Sequence, residues 1–477
     1  MTSLGEQRGS RPSEPPAIPK SEAPSEGNIS NQEKGAATSK AQPADIKPEQ
    51  RSKPRPRIGI ALGGGAALGL AHIGVLKYFE EHHIPIDDIA GTSMGGLVGG
   101  FYATGISATD LQEIALDAPW DDLLSPNYRF FDEPIVEKQE WNRQPGWLTL
   151  RLGSRLNLPA GINSGQRLAL LLSRNTEPYS NLMTFDELPT PFRCVATDLV
   201  SGSPVVLDHG SLPKALRSTM AIPGIFTPVA WEGKVLVDGG VTNNLPSNVV
   251  RGMGADKVIA VLVQVPSPNA KQFTSLAAVL RQTVSVGIVQ NERQGAAEAD
   301  TLVRVVVKGI TPTDYEQSLK IIQQGYDAAR AMANELSAYS VSDGEWNDYV
   351  AQRKARIRSA RKRGPLAQVD AAQPVIQRNA VHELHRKLGA GDFDQDHLED
   401  VLSGIVAAAG LPGAYYEWTR KPEGEEGYRV EFLERPDHIL VLRPAVAFNV
   451  SNEEPTRAAL NLGTTWVPLS TYKSRVV

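Results

Sequence analysis

This sequence predicts a three-layer α/β/α protein with a mainly parallel sheet, followed by a small α+β module. Three observations lead there. The stretch "RIGIAL" at 57–62 reads as a buried strand that runs into three glycines and then into a helical pattern. The same unit recurs as the short strand "IDDIA" and the helix "MGGLVGGFYATG". The apolar run "VIAVLV", Val258 to Val263, is too short for a helix or a membrane span and suits a strand buried on both faces.

Residues 1–57 contain no Phe, Trp or Tyr and are rich in Pro, Ser, Ala, Glu and Lys. Such a segment buries too little apolar surface to offset its ordering entropy and is read as a disordered tail. The α/β domain is read over 58–336. In its first helix Leu70, Ile73, Leu76 and Phe79 keep helical spacing, and Pro85 ends it. "FRCVATDLVSG", "KVLVDGG", "ADKVIAVLVQV" and "TLVRVVVKG" are further strands, and a long helix over "TSLAAVLRQTVSVGIVQNERQGAAEA" precedes the last of them. "YEQSLKIIQQGYDAARAMANEL" closes the domain.

Residues 337–366 carry the basic stretch "RKARIRSARKRG", expected as a solvated linker or helix, with anionic lipid as the other reading. Residues 367–437 read as strand "PVIQRNAV", helix "HELHRKLG", helix "DQDHLEDVLSGIVAAAG" and strands "AYYEWTRK" and "YRVEFLER", in β-α-α-β-β order. Residues 438–477 alternate in polarity and read as two or three more strands.

The bulk numbers narrow the function classes. The net charge of -5 and the pI near 6.0 do not suit a general nucleic-acid binder. A single cysteine, Cys194, excludes an internal disulfide and any multi-cysteine metal site. The N-terminus lacks a basic region followed by an apolar one, so no secretory signal peptide is read.

Three glycine-dependent motifs carry the chemistry, each after a strand. Gly63, Gly64 and Gly65 let backbone N–H groups converge on one point, as an oxyanion or a phosphate requires. Ala66 breaks the G-x-G-x-x-G pattern and no G-K-[ST] follows, which counts against a dinucleotide or NTP site. Gly91, Ser93 and Gly95 spell G-x-S-x-G, a strand-to-helix elbow that lifts a serine oxygen clear of the backbone. Asp238 ends a strand and is followed by Gly239 and Gly240, where open α/β sheets place their sites.

Other residues have weaker signals. His72 in the first helix is read as structural. His209 precedes Asp238, so an order of Ser, Asp, His fails. His382 and His385 do not complete H-E-x-x-H, and Asp392, Asp394 and Asp396 lack the glycine and final glutamate of a calcium loop. Trp120, Tyr128, Phe130, Phe131, Trp141 and Trp147 could form an acyl groove, an interfacial surface or plain core.

From Ile58 to about Val263 the sequence resembles a bacterial patatin-like phospholipase domain. "LGGGAALGLAHIGVL" resembles its oxyanion segment, "GTSMGG" its nucleophile elbow, "LRSTMAIPGIFTPV" its Ser/Ala-Pro segment and "LVDGGVTNNLP" its Asp-Gly-Gly motif. The resemblance implies a Ser93–Asp238 dyad without a catalytic histidine, a lipid-ester substrate and no cofactor or metal. Two positions depart from the pattern: Leu68 stands where the family has Arg or Lys, and Ala66 where it has glycine.

The β-α-α-β-β module resembles the polypeptide-transport-associated (POTRA) fold. This domain order is similar to that of bacterial proteins that continue into an outer-membrane barrel. The roughly forty residues after the module are too few for eight barrel strands. Truncation, a strand lent to another sheet and a soluble descendant are the remaining readings. The resemblance implies contact with a membrane surface, a protein partner for the module, and the bacterial envelope (periplasm or outer membrane), with the cytoplasm as the alternative. Three functions follow: a serine lipid acyl hydrolase, a catalytically weak domain acting through its module, or a nucleotide-binding protein using the glycine loop.

Overall fold

The computed structural model describes residues 55–124, 150–152, 156–157, 161–163, 165–180, 182–264, 276–361, 363–371, 382–389, 391–409, 413–420, 424, 426–433, 439–449 and 457–467. Five parallel strands form the heart of the main sheet, in the order Thr301–Val306, Lys257–Gln264, Ile58–Leu62, Asp88–Thr92, Phe192–Asp198. Three antiparallel strands, Pro204–Leu207, Lys234–Asp238 and Val229–Trp231, complete it.

Alternation along each strand sorts residues between two cores, because successive side chains point to opposite faces. Ile259, Val261 and Val263 join the larger core with Ile60 and Leu62, while Val258, Ala260 and Leu262 join the smaller one with Ala61. Both faces are thus covered, which is why the central strands are apolar throughout.

Helices Ala71–Glu81 and Ser318–Ala331 cross on the larger core with their backbones in contact. A Cβ on Gly74 would lie 1.9 Å from Ile322 O, and one on Gly325 would lie 1.9 Å from Ala71 O. Only glycine permits that approach.

The segment expected as a linker or helix contains a helix and then runs along the domain as a strap. Its helix, Asp343–Ala355, starts on a Ser342–Glu345 capping box. The Arg353 guanidinium sits 4.1 Å over the Tyr102 ring and donates to Tyr102 O and Ile106 O. Arg356 donates to Asp186 O and Pro189 O, and Arg358 pairs with Glu187 at 2.8 Å. Arg361 stacks on Trp418 and pairs with Glu426. Carbonyls, carboxylates and rings of the protein thus engage these four arginines, while residues 354–361 stay exposed, in keeping with a solvated stretch. Order also begins earlier than residue 58: Arg55 and Arg57 pair with Asp87 and Asp88.

The second core belongs to the residues after the strap. Strand Leu366–Ala371 pairs in parallel with Glu426–Phe432, which pairs antiparallel with Ala414–Arg420. Leu366 and Val369 of this strand pack on the core, and the expected strand "PVIQRNAV" lies outside the described residues. Helix Gln395–Ala409 supplies Leu398, Val401, Leu402 and Ile405.

One edge of this sheet docks on helix Gln166–Thr176 and the turn after it. The N–H groups of Ala414, Tyr416 and Trp418 donate to the side chains of Gln166, Ser173 and Ser180 at 2.5, 3.4 and 3.2 Å. Alternate strand residues point their amides the same way, so side chains take the place of a neighbouring strand.

Ile439–Asn449 and Arg457–Val467 form an antiparallel pair, and Leu440–Leu442 pairs further with Leu150–Leu152. The final strands thus lend themselves to a sheet with an earlier segment. No described helix is long and apolar enough to cross a membrane.

Candidate active site

Strand pairing explains how residues distant in sequence meet. Pro204–Leu207 occupies one edge of Phe192–Asp198 along Cys194–Thr197. Asp88–Thr92 and Lys234–Asp238 must therefore share the other edge, with Thr92 opposite Val195 and Asp238 opposite Ala196. The two strands run in opposite directions, so their carboxyl ends meet head to head. Ser93 follows one end and Asp238 is the other.

Ser93 has φ 53° and ψ −125°, a left-handed conformation that L-residues avoid. Its neighbours hold it there. The Ser93 N–H donates to Thr219 Oγ1 at 2.9 Å, and the Thr219 hydroxyl donates to Val195 O at 2.5 Å. A Cβ on Gly91 would lie 2.3 Å from Gly95 O, and one on Gly95 would lie 2.3 Å from Leu62 O. Helix Met94–Ala103 begins directly after the serine, so its positive end faces the hydroxyl.

Asp238 is fixed at three points. Its N–H donates to Ala221 O at 2.9 Å, its carbonyl accepts from Thr197 Oγ1 at 3.0 Å, and its Oδ1 accepts from Gly240 N at 2.8 Å. Its Oδ2 is buried and has no hydrogen-bond partner among the described residues. Burial pushes the carboxyl up to about 6, against smaller lowering effects of the neighbouring Ser93 hydroxyl and the Gly240 amide. The serine thus stands beside the carboxylate without an aligned hydrogen bond to Oδ2, a looseness common before substrate binds. Both residues are 6% exposed. Thr219 and Ala221, from the segment "STMAIPG", tie down the serine and the aspartate respectively. A Cβ on Gly239 would lie 2.1 Å from Val195 O, so this motif glycine is needed for the close approach.

The structure corrects the expectation that Gly63, Gly64 and Gly65 all offer N–H groups to an oxyanion. Gly63 N donates to Val261 O at 3.1 Å and Gly64 N to Asn244 O at 3.2 Å. The amides of Gly65 and of Ala66, which sits at φ 49°, have no acceptor among the described residues. A neighbouring strand takes the first donor and the loop after the Asp-Gly-Gly turn takes the second. Leu68 is fully buried in the larger core.

The remaining candidates separate from this site. His72 is buried, and its Nε2 lies 2.6 Å from Gly63 O. Burial lowers its pKa to about 4, so it is neutral and donates to that carbonyl, anchoring the loop. His209 lies between Asp208 and Glu232 on an exposed surface. Asp394 caps His397 N, and Asp396 pairs with Arg174. His382 and His385 are exposed. Among the described residues no group of three His, Cys, Asp or Glu side chains is placed to hold a metal ion. Trp120 is core, stacked on Tyr315 at 4.7 Å, and the other five aromatics of its region lie outside the described residues.

Sequence motifs do not point to Asn291 or Glu292, and the Ser/Ala-Pro segment that contains Thr219 does not single out the threonine. Asn291 and Glu292 sit on helix Leu276–Ala297 with no glycine signature to mark them, yet both reach the Asp-Gly-Gly loop, at Gly240 and Asn244.

Known proteins resemble part of this chain. An uncharacterised NTE family protein of Mycobacterium tuberculosis is 33% identical over 219 residues, 46% of this chain and 52% of its own length. Patatin-like phospholipase domain-containing protein 6 of Homo sapiens is 31% identical over 206 residues, 43% of this chain and 13% of its own length. The chain therefore spans about half the length of the mycobacterial relative and far less of the human one. Among solved structures, VipD from Legionella pneumophila overlaps with a TM-score of 0.34 at 12% identity, covering 74% of this chain and 80% of that one, too loose a match to bear on function. The family match, patatin-like phospholipase, covers residues 60–250. Those limits enclose the glycine loop, the serine elbow, the segment that anchors it and the strand-end aspartate, so the match to patatin-like phospholipases falls on the residues that build this site.

Proposed function

We propose that this protein is a serine lipid acyl hydrolase, of the phospholipase A or lipase type, with Ser93 as nucleophile and Asp238 as proton acceptor. The observation that carries the reading is a serine held at φ 53° on a strand-to-helix turn, beside a buried carboxylate with an unpaired oxygen. The match of residues 60–250 to patatin-like phospholipases supports it and points to lipid esters.

Ser93 Oγ attacks the ester carbonyl carbon as its proton passes to the Asp238 carboxylate. The negative oxygen that forms takes the amides of Gly65 and Ala66, and the N-terminal end of helix Met94–Ala103 favours the same charge. Loss of one such donor costs about 2.7–4 kcal/mol. Collapse of the intermediate breaks the ester bond, and the leaving alcohol takes the proton back from Asp238. Water then attacks the acyl-serine, Asp238 takes its proton, and release of the fatty acid returns that proton to Ser93. Desolvation makes an aspartate basic enough for this work.

The partners follow from the same reading: a lipid substrate, a membrane surface and a protein met through the C-terminal module, which we read as POTRA-like from its strand and helix order. Because Gln166, Ser173 and Ser180 fill the edge at Ala414–Arg420, a partner that adds a strand would meet Leu366–Ala371 instead.

A fluorophosphonate probe tests the assignment. Ser93 is expected to take the label, Ser93→Ala to lose both label and turnover, and a phospholipid panel to release fatty acid. A labelled protein that turns over no ester would favour the catalytically weak reading, and an unlabelled protein that binds ATP or NAD tightly would favour a nucleotide site. A pH profile is a second check. Asp238 must be ionised to accept a proton, so kcat/KM is expected to fall about tenfold per pH unit below about 6. A flat profile between pH 5 and 7 would refute that role.

A further inference from the structure

The glycine loop and the Asp-Gly-Gly loop are joined through Asn244, which lies within the Asp-Gly-Gly segment, and that segment is held by Asn291 and Glu292, which no motif contains. Asn244 O accepts from Gly64 N, which holds the glycine loop. Asn244 N donates to Asn291 Oδ1 at 2.8 Å, and Asn291 Nδ2 donates to Gly240 O at 3.0 Å. Asn291 thus ties the loop of the acid to the residue that holds the oxyanion loop. Asn244 Nδ2 donates to Glu292 Oε1 at 2.7 Å. An ionised carboxylate only accepts, so this contact fixes which way the Asn244 amide faces: nitrogen to Glu292, oxygen into the site.

That oxygen has a defined position. The point where a Cβ on Gly64 would sit is 2.4 Å from Asn244 Oδ1 and 3.1 Å from Ser93 Cβ. A Cβ on Gly240 would lie 2.9 Å from the same Oδ1. Asn244 Oδ1 therefore packs into the angle between the oxyanion loop, the acid's loop and the serine, with no room for a larger group on either glycine.

We propose that Asn244, Asn291 and Glu292 are positioning residues of the hydrolytic reaction, a frame in which helix Leu276–Ala297 holds Asn244 and so sets the spacing between the Asp238 loop and the oxyanion amides. The proposal rests on the hydrolase reading above. None of the three is asked to touch substrate. Their work is geometric: the serine is held from one side by Thr219, and without the frame the glycine loop and the Asp-Gly-Gly turn lose their common tie. A misplacement of about 1 Å in such a constellation costs about 10²-fold in rate.

The test is kinetic. Asn291→Leu and Glu292→Leu are expected to lower kcat on a short-chain p-nitrophenyl ester by about 10²-fold with KM nearly unchanged, and to slow fluorophosphonate labelling of Ser93 in parallel. Glu292→Gln keeps an acceptor for Asn244 Nδ2 and is expected to recover most of what Glu292→Leu loses. Should Asn291→Leu fail to fold, the Glu292→Leu and Glu292→Gln pair decides alone. Leucine variants that are labelled and turn over at the parent rate would overturn the frame while leaving the hydrolase reading in place. The frame also falls if Glu292→Gln is as impaired as Glu292→Leu. An inert, unlabelled parent would instead sink the hydrolase reading and the frame together.

Discussion

Asp238→Asn is expected to yield a protein that is more stable than the parent at pH 8 and has lost ester turnover by about 10³–10⁴-fold. The two effects share one cause. The carboxyl is raised to about 6 from an ordinary 3.8, first of all by burial. The folded state therefore binds a proton over a pH range where the unfolded chain has already released it. Stability is greatest below the unfolded value, falls as pH rises from about 4 to 6, and stays reduced above that. A rise of this size corresponds to about 3 kcal/mol. Asparagine is neutral, keeps an Oδ1 for the Gly240 amide, and escapes that cost, but it cannot accept the Ser93 proton. Urea denaturation at pH 4 and pH 8 checks the stability half: the variant's advantage should appear at pH 8 and shrink at pH 4. An asparagine variant with parental turnover would remove Asp238 from the chemistry.

The largest effect on folding is expected at the crossing of the first helix with the one that closes the domain. Gly325→Ala should destabilise by about 3 kcal/mol or more, because its Cβ would lie 1.9 Å from Ala71 O and 2.7 Å from the Ala71 carbonyl carbon. Both are backbone atoms of a helix, so no side chain can swing aside and the helices must part. That parting exposes apolar residues such as Ile73, Ile321 and Ile322, all buried in the larger core. Gly74→Ala meets Ile322 O in the same way. The two glycines face one contact, so the double variant should lose less than the sum of the singles: once one methyl has parted the helices, the second finds room. Urea midpoints of the four proteins measure this. Full additivity would mean that the helices bend locally rather than separate.

Much of the domain is legible in the sequence because its signals are local. The alternation in "KVIAVLVQ" needs only the pleat of a strand to send Val258 and Ile259 to different cores. The G-x-S-x-G elbow needs only that two glycines flank a residue at positive φ, and Ser93 has that conformation. The strand Leu366–Ala371 escapes such a reading because its own apolar pattern is weak and it is fixed by pairing with Glu426–Phe432, far along the chain. The basic stretch is exposed, as its composition suggests, but composition does not show what Arg353, Arg356, Arg358 and Arg361 touch: a guanidinium is the side chain best suited to bridge carbonyls and rings when a surface offers them.

The sequence by itself determined which groups this protein has available for chemistry: an elbow serine, a strand-end aspartate and a glycine loop, each specified by a few neighbouring residues. Tertiary structure alone decided which of those groups meet and which are already spoken for. Opposed strands on one edge of Phe192–Asp198 bring Asp238 to Ser93. Val261 and Asn244 take the amides of Gly63 and Gly64, and Asn291 arrives from a helix that carries no motif. The reason is that a backbone amide or a carboxylate has no fixed role until its partner is known, and in a sheet those partners come from strands far away in the chain.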